Sequence, residues 1–310
     1  MLDVIMRVDP SECLRATAAA VMDRDASLPG DVVAALKPST RLAAEKVLEE
    51  SIPLGSSHFG GRPDLSESVP WPRWSGFHQE DLVLPNGTRL TQGFKPRPLS
   101  FLAQLDLATL PVPSGLLPDS GLLLFFYDAV QQPWGFDPRD RGSSRVLFLP
   151  EGTALKRTAP PPDMSAESMF TAGLLSASLI AALPTYADRL GIKLEDPAYF
   201  SFGETSSEIA GEGPHHRLLG WPEVVQSDDM DLECQLASSG VFAGGPAASR
   251  SPEAARLLDG ATDWMLLLQL STDDDAGWMW GDTGSIYFWI RKQDLAERRF
   301  ENVWTILQCY

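Results

Sequence analysis

The chain has 310 residues, with 25 Lys plus Arg against 42 Asp plus Glu, a formal charge of −17 and a pI near 4.6. Binding to nucleic acid by counterion release needs a basic stripe, so this balance excludes a general nucleic-acid binder. At 44% hydrophobic and 22% charged residues, the chain is globular rather than disordered and long enough for one large or two medium domains.

Residues 1–38 read as an N-terminal helical segment. Asp9-Pro10-Ser11-Glu12 supplies a cap, a proline at N1 and a carboxylate at N3 ahead of Leu14, Ala18, Val21 and Met22, which predicts a helix to about Asp25. A shorter helix follows from Pro29-Gly30-Asp31 to Leu36. Residues 39–50 suit either a helix face or an edge strand. Beyond Ile52, short apolar runs alternate with turn clusters at 101–107, 121–128, 145–149, 264–271 and 285–290. Their lengths and their Leu, Phe, Tyr, Trp and Ile content are those of buried strands. A mainly β (α+β) fold is therefore expected, with one β-rich domain over 39–310. A short acid-capped helix at 294–300 and a strand at 303–309 close it. The stretches 151–163 and 238–252, rich in Pro, Gly, Ala and Ser, read as loops.

The opening MLDVIMRVDP carries acids where a secretion signal needs a basic region, and no run reaches the eighteen or so apolar residues of a membrane span. Cys13, Cys234 and Cys309 form an odd, widely spaced set that suits neither a disulfide framework nor a zinc knuckle. A cytoplasmic protein without membrane association is expected.

An internal repeat is visible. The run 101–107, with Gln104 at its centre, matches 265–272, with Gln269; each is followed by a glycine and a second apolar run, at Gly121 and Gly284. Upstream stand Trp71-Pro72 and Trp221-Pro222, read as a matching pair. Two related β units that cannot each bury both faces would share a core as one pseudo-symmetric body. The halves are expected at about 52–150 and 212–310, joined by a Pro-rich linker region. Gln104 and Gln269 are either core clips bonded to backbone or inward-facing binding groups, since an unpaired buried amide costs about 1–3 kcal/mol.

The ordered motifs His58-Phe-Gly60-Gly61-Arg62-Pro63-Asp-Leu65, Trp71-Pro72, Gln104, Gly121, Gly220-Trp-Pro222 with Gln226, Leu268-Gln269-Leu270 and Trp280-Gly281-Asp282 through Ile290 resemble the bacterial YwqG-like family, a domain of unknown function. The resemblance runs from about Lys37 to the C-terminus. It implies a mainly β single-chain fold with two related halves, and an extended 39–42. It brings no catalytic mechanism. Some relatives are associated with toxin gene neighbourhoods, which implies an immunity-type or partner-binding role. The chain departs from the family at His58, where a basic residue is common.

The candidate binding residues are His58, Gly60, Gly61, Arg62, Trp71, Gln104, Gln269, Trp280 and Asp282. The 58–63 turn is either an anion-binding loop or a structural turn needing positive φ at Gly60 or Gly61. Trp280-Gly281-Asp282 is either cleft lining or a hairpin turn with Trp280 in the core. His215 and His216, 228–231 and 273–275 read as solvated loop and turn residues, and neither acidic cluster has a calcium-loop register. No nucleophile elbow, zinc-helix or dinucleotide motif occurs. No catalytic residue, metal or cofactor is therefore assigned. The expected function is binding of a basic protein partner or small ligand. The alternative is a hydrolase-like enzyme or a small anionic ligand binder acting from a cleft between the halves.

Overall fold

The computed structural model describes residues 9–24, 30–75, 82–83, 89–90, 96–113, 115–195, 198–245 and 251–310. The expectations for 1–8 and for 246–250 lie outside the described residues. The first helix spans Pro10–Arg24 (α1), with Asp9 Oδ1 accepting the Ser11 N–H at 2.9 Å, and the second spans Gly30–Ala34 (α2).

Ten strands form one antiparallel sheet that curls into a nearly closed barrel. The first five are β1 (Lys37–Lys46), β2 (His58–Phe59), β3 (Ser100–Asp106), β4 (Leu122–Tyr127) and β5 (Ser144–Leu149). The second five are β6 (Gly173–Ala182), β7 (His216–Leu218), β8 (Trp264–Ser271), β9 (Ser285–Arg291) and β10 (Trp304–Gln308). The mainly β expectation holds, and residues 39–42 are extended within β1. The two edge strands approach each other where Thr305 Oγ1 meets Ser144 Oγ at 2.8 Å, and the connection between β4 and β5 reaches β10, the Trp134 carbonyl accepting the Leu307 N–H at 3.1 Å.

Across the sheet the order is β5-β4-β3-β2-β6-β1-β7-β8-β9-β10. Each half is thus a long strand, a short strand and a three-stranded meander, and the long strands have changed places. β6 lies against β2, with Leu174 opposite His58, while β1 lies against β7, with Leu42 opposite His216. β1 and β6 pair from Lys37–Ala182 to Lys46–Gly173, so the pseudo-twofold axis passes between them.

Alternation explains why the strands read as continuous apolar runs. In β4, Leu123, Phe125 and Tyr127 face a central core that also receives Ile286, Phe288 and Ile290 of β9. The opposite faces are covered separately, Leu124 and Phe126 by Leu65, Trp74 and Leu99, and Tyr287 and Trp289 by a group around Met230, Cys234 and Leu236. Antiparallel strands usually leave one face to water. Here both are buried, which removes the polar half of the pattern.

The repeat is exact at the level of backbone bonding. Ladder register shifts at Leu102 in β3 and at Leu267 in β8, two residues before each glutamine. The carbonyls at these bulges accept the Gly60 N–H at 2.9 Å and the Leu219 N–H at 3.0 Å. Each acceptor lies opposite two successive residues of positive φ, Gly60 and Gly61 (52° and 65°) and Leu219 and Gly220 (61° and 79°). The partner of Trp221-Pro222 is therefore Arg62-Pro63, not Trp71-Pro72. Trp71 instead lies further along the chain, where its Nε1 donates to Leu99 O at 2.8 Å.

The late helix also differs from expectation. It spans Lys292–Ala296 without a side-chain cap, and Asp294 lies inside it, accepting from Arg299 Nε and Asn302 Nδ2 at 2.8 Å. Among the described residues no helix is long and apolar enough to cross a membrane.

Candidate functional site

The 58–62 turn is saturated by its own chain. His58 is fully buried, its Nδ1–H donates to Gly60 O at 3.0 Å, and its Nε2 has no partner among the described residues. Burial lowers its pKa, and the nearby Arg157 charge adds to the effect, so the imidazole is neutral. The amides that an anion would need are taken: Gly60 N–H by Leu102 O, Gly61 N–H by Phe170 O at 2.9 Å, and Arg62 N–H by Glu49 Oε1 at 2.6 Å. The same Glu49 oxygen accepts Arg62 Nε at 2.9 Å. Gly60 is required sterically, because a Cβ there would lie 2.1 Å from Thr171 O.

Both glutamines are buried clips. Gln104 Oε1 accepts the Asp64 N–H at 2.9 Å, and its Nε2 donates to Ser56 O and Asp64 Oδ2. Gln269 Oε1 accepts the Glu223 N–H at 2.9 Å, with Nε2 directed to Glu223 O at 3.3 Å. Burial works to raise the Asp64 pKa, but hydrogen bonds from Arg157, Gln104 and the Gly55 amide outweigh it and hold the carboxylate ionised. In the second half Arg217 donates to Glu223 Oε2 at 2.9 Å. Gln269 also borders a cleft of about 660 Å³ lined by His215, Glu223, Asp273, Asp274 and Tyr310.

Trp280 is in the core, 5.9 Å from Tyr127 and 6.0 Å from Phe170 between ring centroids. Asp282 is exposed, and its carbonyl accepts the Tyr310 N–H. The expectation of solvated histidines and acids is corrected at two residues. His216 is buried in β7, its Nδ1 accepting the Ser271 N–H and its Nε2–H donating to Asp273 Oδ2 at 2.9 Å. Asp231 is buried against Arg189. A strand position opposite a second strand buries His216, which local polarity does not reveal. His58 and Asp282 border none of the cavities described in this section; the titratable pair that does line the 660 Å³ cleft is His215 with Glu223, Nδ1 to Oε2 at 2.9 Å. Among the described residues no three His, Cys, Asp or Glu side chains gather in a metal-holding group.

A different cavity, of about 640 Å³, combines charge and aromatic surface. Its wall includes Lys37 and Pro38 of β1, Gly220-Trp221-Pro222 after β7, Trp264 and Leu266 of β8, Trp289 of β9, and Arg189, Asp231 and Lys292. Strand exchange brings Lys37 to the second half, where its Nζ lies 3.2 Å above the Trp221 ring centroid. Three cations face one carboxylate, and that carboxylate is held by Arg189 Nη1 and Nη2. Lys37 and Lys292 make no ion pair among the described residues. The protein around Lys37, together with Arg189 and Lys292, pushes its pKa down to about 8. Trp221 Nε1 donates to Ala35 O and Trp264 Nε1 to Gln235 Oε1, whereas Nε1 of the buried Trp289 has no acceptor among the described residues.

None of the charged residues of this wall stands in a motif. Lys37, Arg189 and Lys292 are far apart in the chain, and only the exchange of β1 and the packing of the 187–190 turn bring them together. The first half has a smaller counterpart of about 230 Å³, lined by Glu49, Gly61, Arg62, Trp71, Phe101 and Phe170 among others. It gathers three of the candidate residues, Gly61, Arg62 and Trp71.

Residues 57–309 match the model of a domain family of unknown function, DUF1963. No curated protein matches the chain.

Proposed function

The chain belongs to the DUF1963 family, and from its geometry we propose that it is a binding protein for a small anionic ligand with an apolar or aromatic body. The observation that carries this reading is the placement of Lys37, Arg189 and Lys292 around Trp221, Trp264 and Trp289 in one cavity of about 640 Å³. A protein with 42 acids against 25 bases repels anions at long range, so a cavity with an excess of positive charge is a local exception to its field. Mostly apolar lining with a few convergent polar groups suits a small-molecule site. The narrower YwqG-like membership and a bacterial source belong to the same proposal and rest on the ordered motifs from His58 to Ile290; a cytoplasmic setting rests on the odd, widely spaced Cys13, Cys234 and Cys309.

Titration with phenylacetate and phenyl phosphate, followed by tryptophan fluorescence and thermal shift, tests the reading. Both anions should bind, benzyl alcohol should not, and Lys37→Met with Lys292→Met should abolish binding while leaving the unfolding temperature near that of the parent. Equal binding of benzyl alcohol, or undiminished anion binding in the double variant, would overturn it.

A basic protein partner, as in an immunity-type role, is the second reading. The net charge of −17 supports it, because such a surface speeds association with a basic partner. Association that does not weaken with added salt would count against it.

A further inference from the structure

We infer that the charged group of the ligand is a carboxylate, seated on the Trp221 turn as the Glu49 side chain is seated on the Arg62 turn. This rests on the small-anion reading above and narrows it. The two turns are equivalent: each follows two residues of positive φ, each has its first amide on the carbonyl of a strand bulge, and each leads through proline to an acid clipped by a strand glutamine. In the first half the second amide, Gly61 N–H, goes to Phe170 O, and the third, Arg62 N–H, is occupied at 2.6 Å by Glu49 Oε1, with a cation, Arg62 Nε, meeting the same oxygen at 2.9 Å. The cavity beside it shrinks to about 230 Å³.

In the second half the corresponding residue is Trp221, whose amide has no acceptor among the described residues. A cation is again present, Lys37 Nζ over the indole, but among the described residues no side chain plays the part of Glu49. Among the described residues Asp231 is the one carboxylate in the wall, and it is committed to Arg189 and to its own neighbour's amide, Leu232 N–H at 2.9 Å. The second half therefore offers an amide and a cation with the carboxylate missing, beside a cavity of about 640 Å³. The first half contains the group that fits such a frame. A carboxylate with an aromatic or apolar body would seat its charge at Lys37 and the turn and its body against Trp264 and Trp289.

Two calorimetric measurements test this. The parent protein should bind phenylacetate at one site, at least about tenfold more tightly than phenyl phosphate. Glu49→Ala vacates the first turn and should raise the phenylacetate stoichiometry to two, whereas Glu49→Gln, which keeps an amide oxygen on Arg62 N–H, should leave it at one. Phosphate binding as tight as carboxylate binding would overturn the inference while the small-anion reading stood. So would a folded Glu49→Ala that still binds at one site. If neither anion binds the parent protein, the small-anion reading itself fails. Should Glu49→Ala not fold, the comparison of carboxylate with phosphate on the parent protein decides the matter alone.

Discussion

Lys37 Nζ lies 3.2 Å above the Trp221 ring although the two residues belong to different halves of the repeat. Only the exchange of β1 with β6 makes that contact, so the cavity is built by the pseudo-symmetric pairing and not by either half alone.

The pKa of Lys37 gives the cavity a pH dependence. Its folded value, about 8, lies below the ordinary 10.5, so between these values the unfolded chain holds more protons and stability rises with pH. Anion affinity should run the other way, falling as pH passes about 8 and the ammonium is lost. Phenylacetate titrations at pH 6.5, 7.5 and 9 measure this. Lys37→Met should remove the pH dependence of affinity together with most of the affinity itself.

Glu233 predicts the opposite trend in stability. Burial, with Asp229 and Asp231 nearby, raises its pKa to about 8 from 4.5, and its Oε2 has no partner among the described residues. The folded chain keeps a proton that the unfolded chain releases above about 4.5, so this group's contribution declines as pH rises from there to about 8. Asp140 and Asp228, both raised to about 6 by burial, act the same way at lower pH. Urea denaturation at pH 5, 6.5 and 8 should show Glu233→Gln flatter than the parent and more stable than it at pH 8.

The glutamine clips should be equal and independent. Gln104→Leu leaves the buried Asp64 N–H without an acceptor, and Gln269→Leu does the same to Glu223. Each should cost about 1–3 kcal/mol in chemical denaturation. Their partners are not shared, so the double variant should equal the sum within about 0.5 kcal/mol. A large non-additive term would show that the two halves communicate through the common core.

Gly60 and Gly152 separate steric need from backbone freedom. Both have positive φ, but an added Cβ at Gly60 meets Thr171 O at 2.1 Å while at Gly152 nothing lies within 4 Å. Gly152→Ala should cost roughly 1–2 kcal/mol from its left-handed φ alone. Gly60→Ala adds a backbone clash and should exceed about 4 kcal/mol or prevent folding. Thermal unfolding of the two variants side by side gives the comparison.

The strands of the two meanders, the two glutamines and the fact of duplication were legible in the amino-acid sequence, because each depends on local composition and on spacing that a duplication preserves. The long strands β1 and β6 and the short β2 and β7 were not, since 39–50 suits helix and strand alike and the other three carry no strand signature of their own. The 121–128 and 285–290 runs declare themselves as strands wherever they pair. The Trp-Pro pairs misled for the same reason: a dipeptide carries no φ, and it was the two positive-φ residues before Arg62 and Trp221 that identified the true equivalents. His216 and Asp231 looked like solvated residues because polarity is local while burial comes from what packs on top. Which strand lies beside which is a property of long-range pairing, and nothing within β1 indicates that it leaves its own half to sit against β7. That choice alone sets Lys37 over Trp221, with Arg189 and Lys292 in the same wall. The sequence by itself thus determined the mainly β class and its two related units, and the tertiary structure decided where their charges and tryptophans meet.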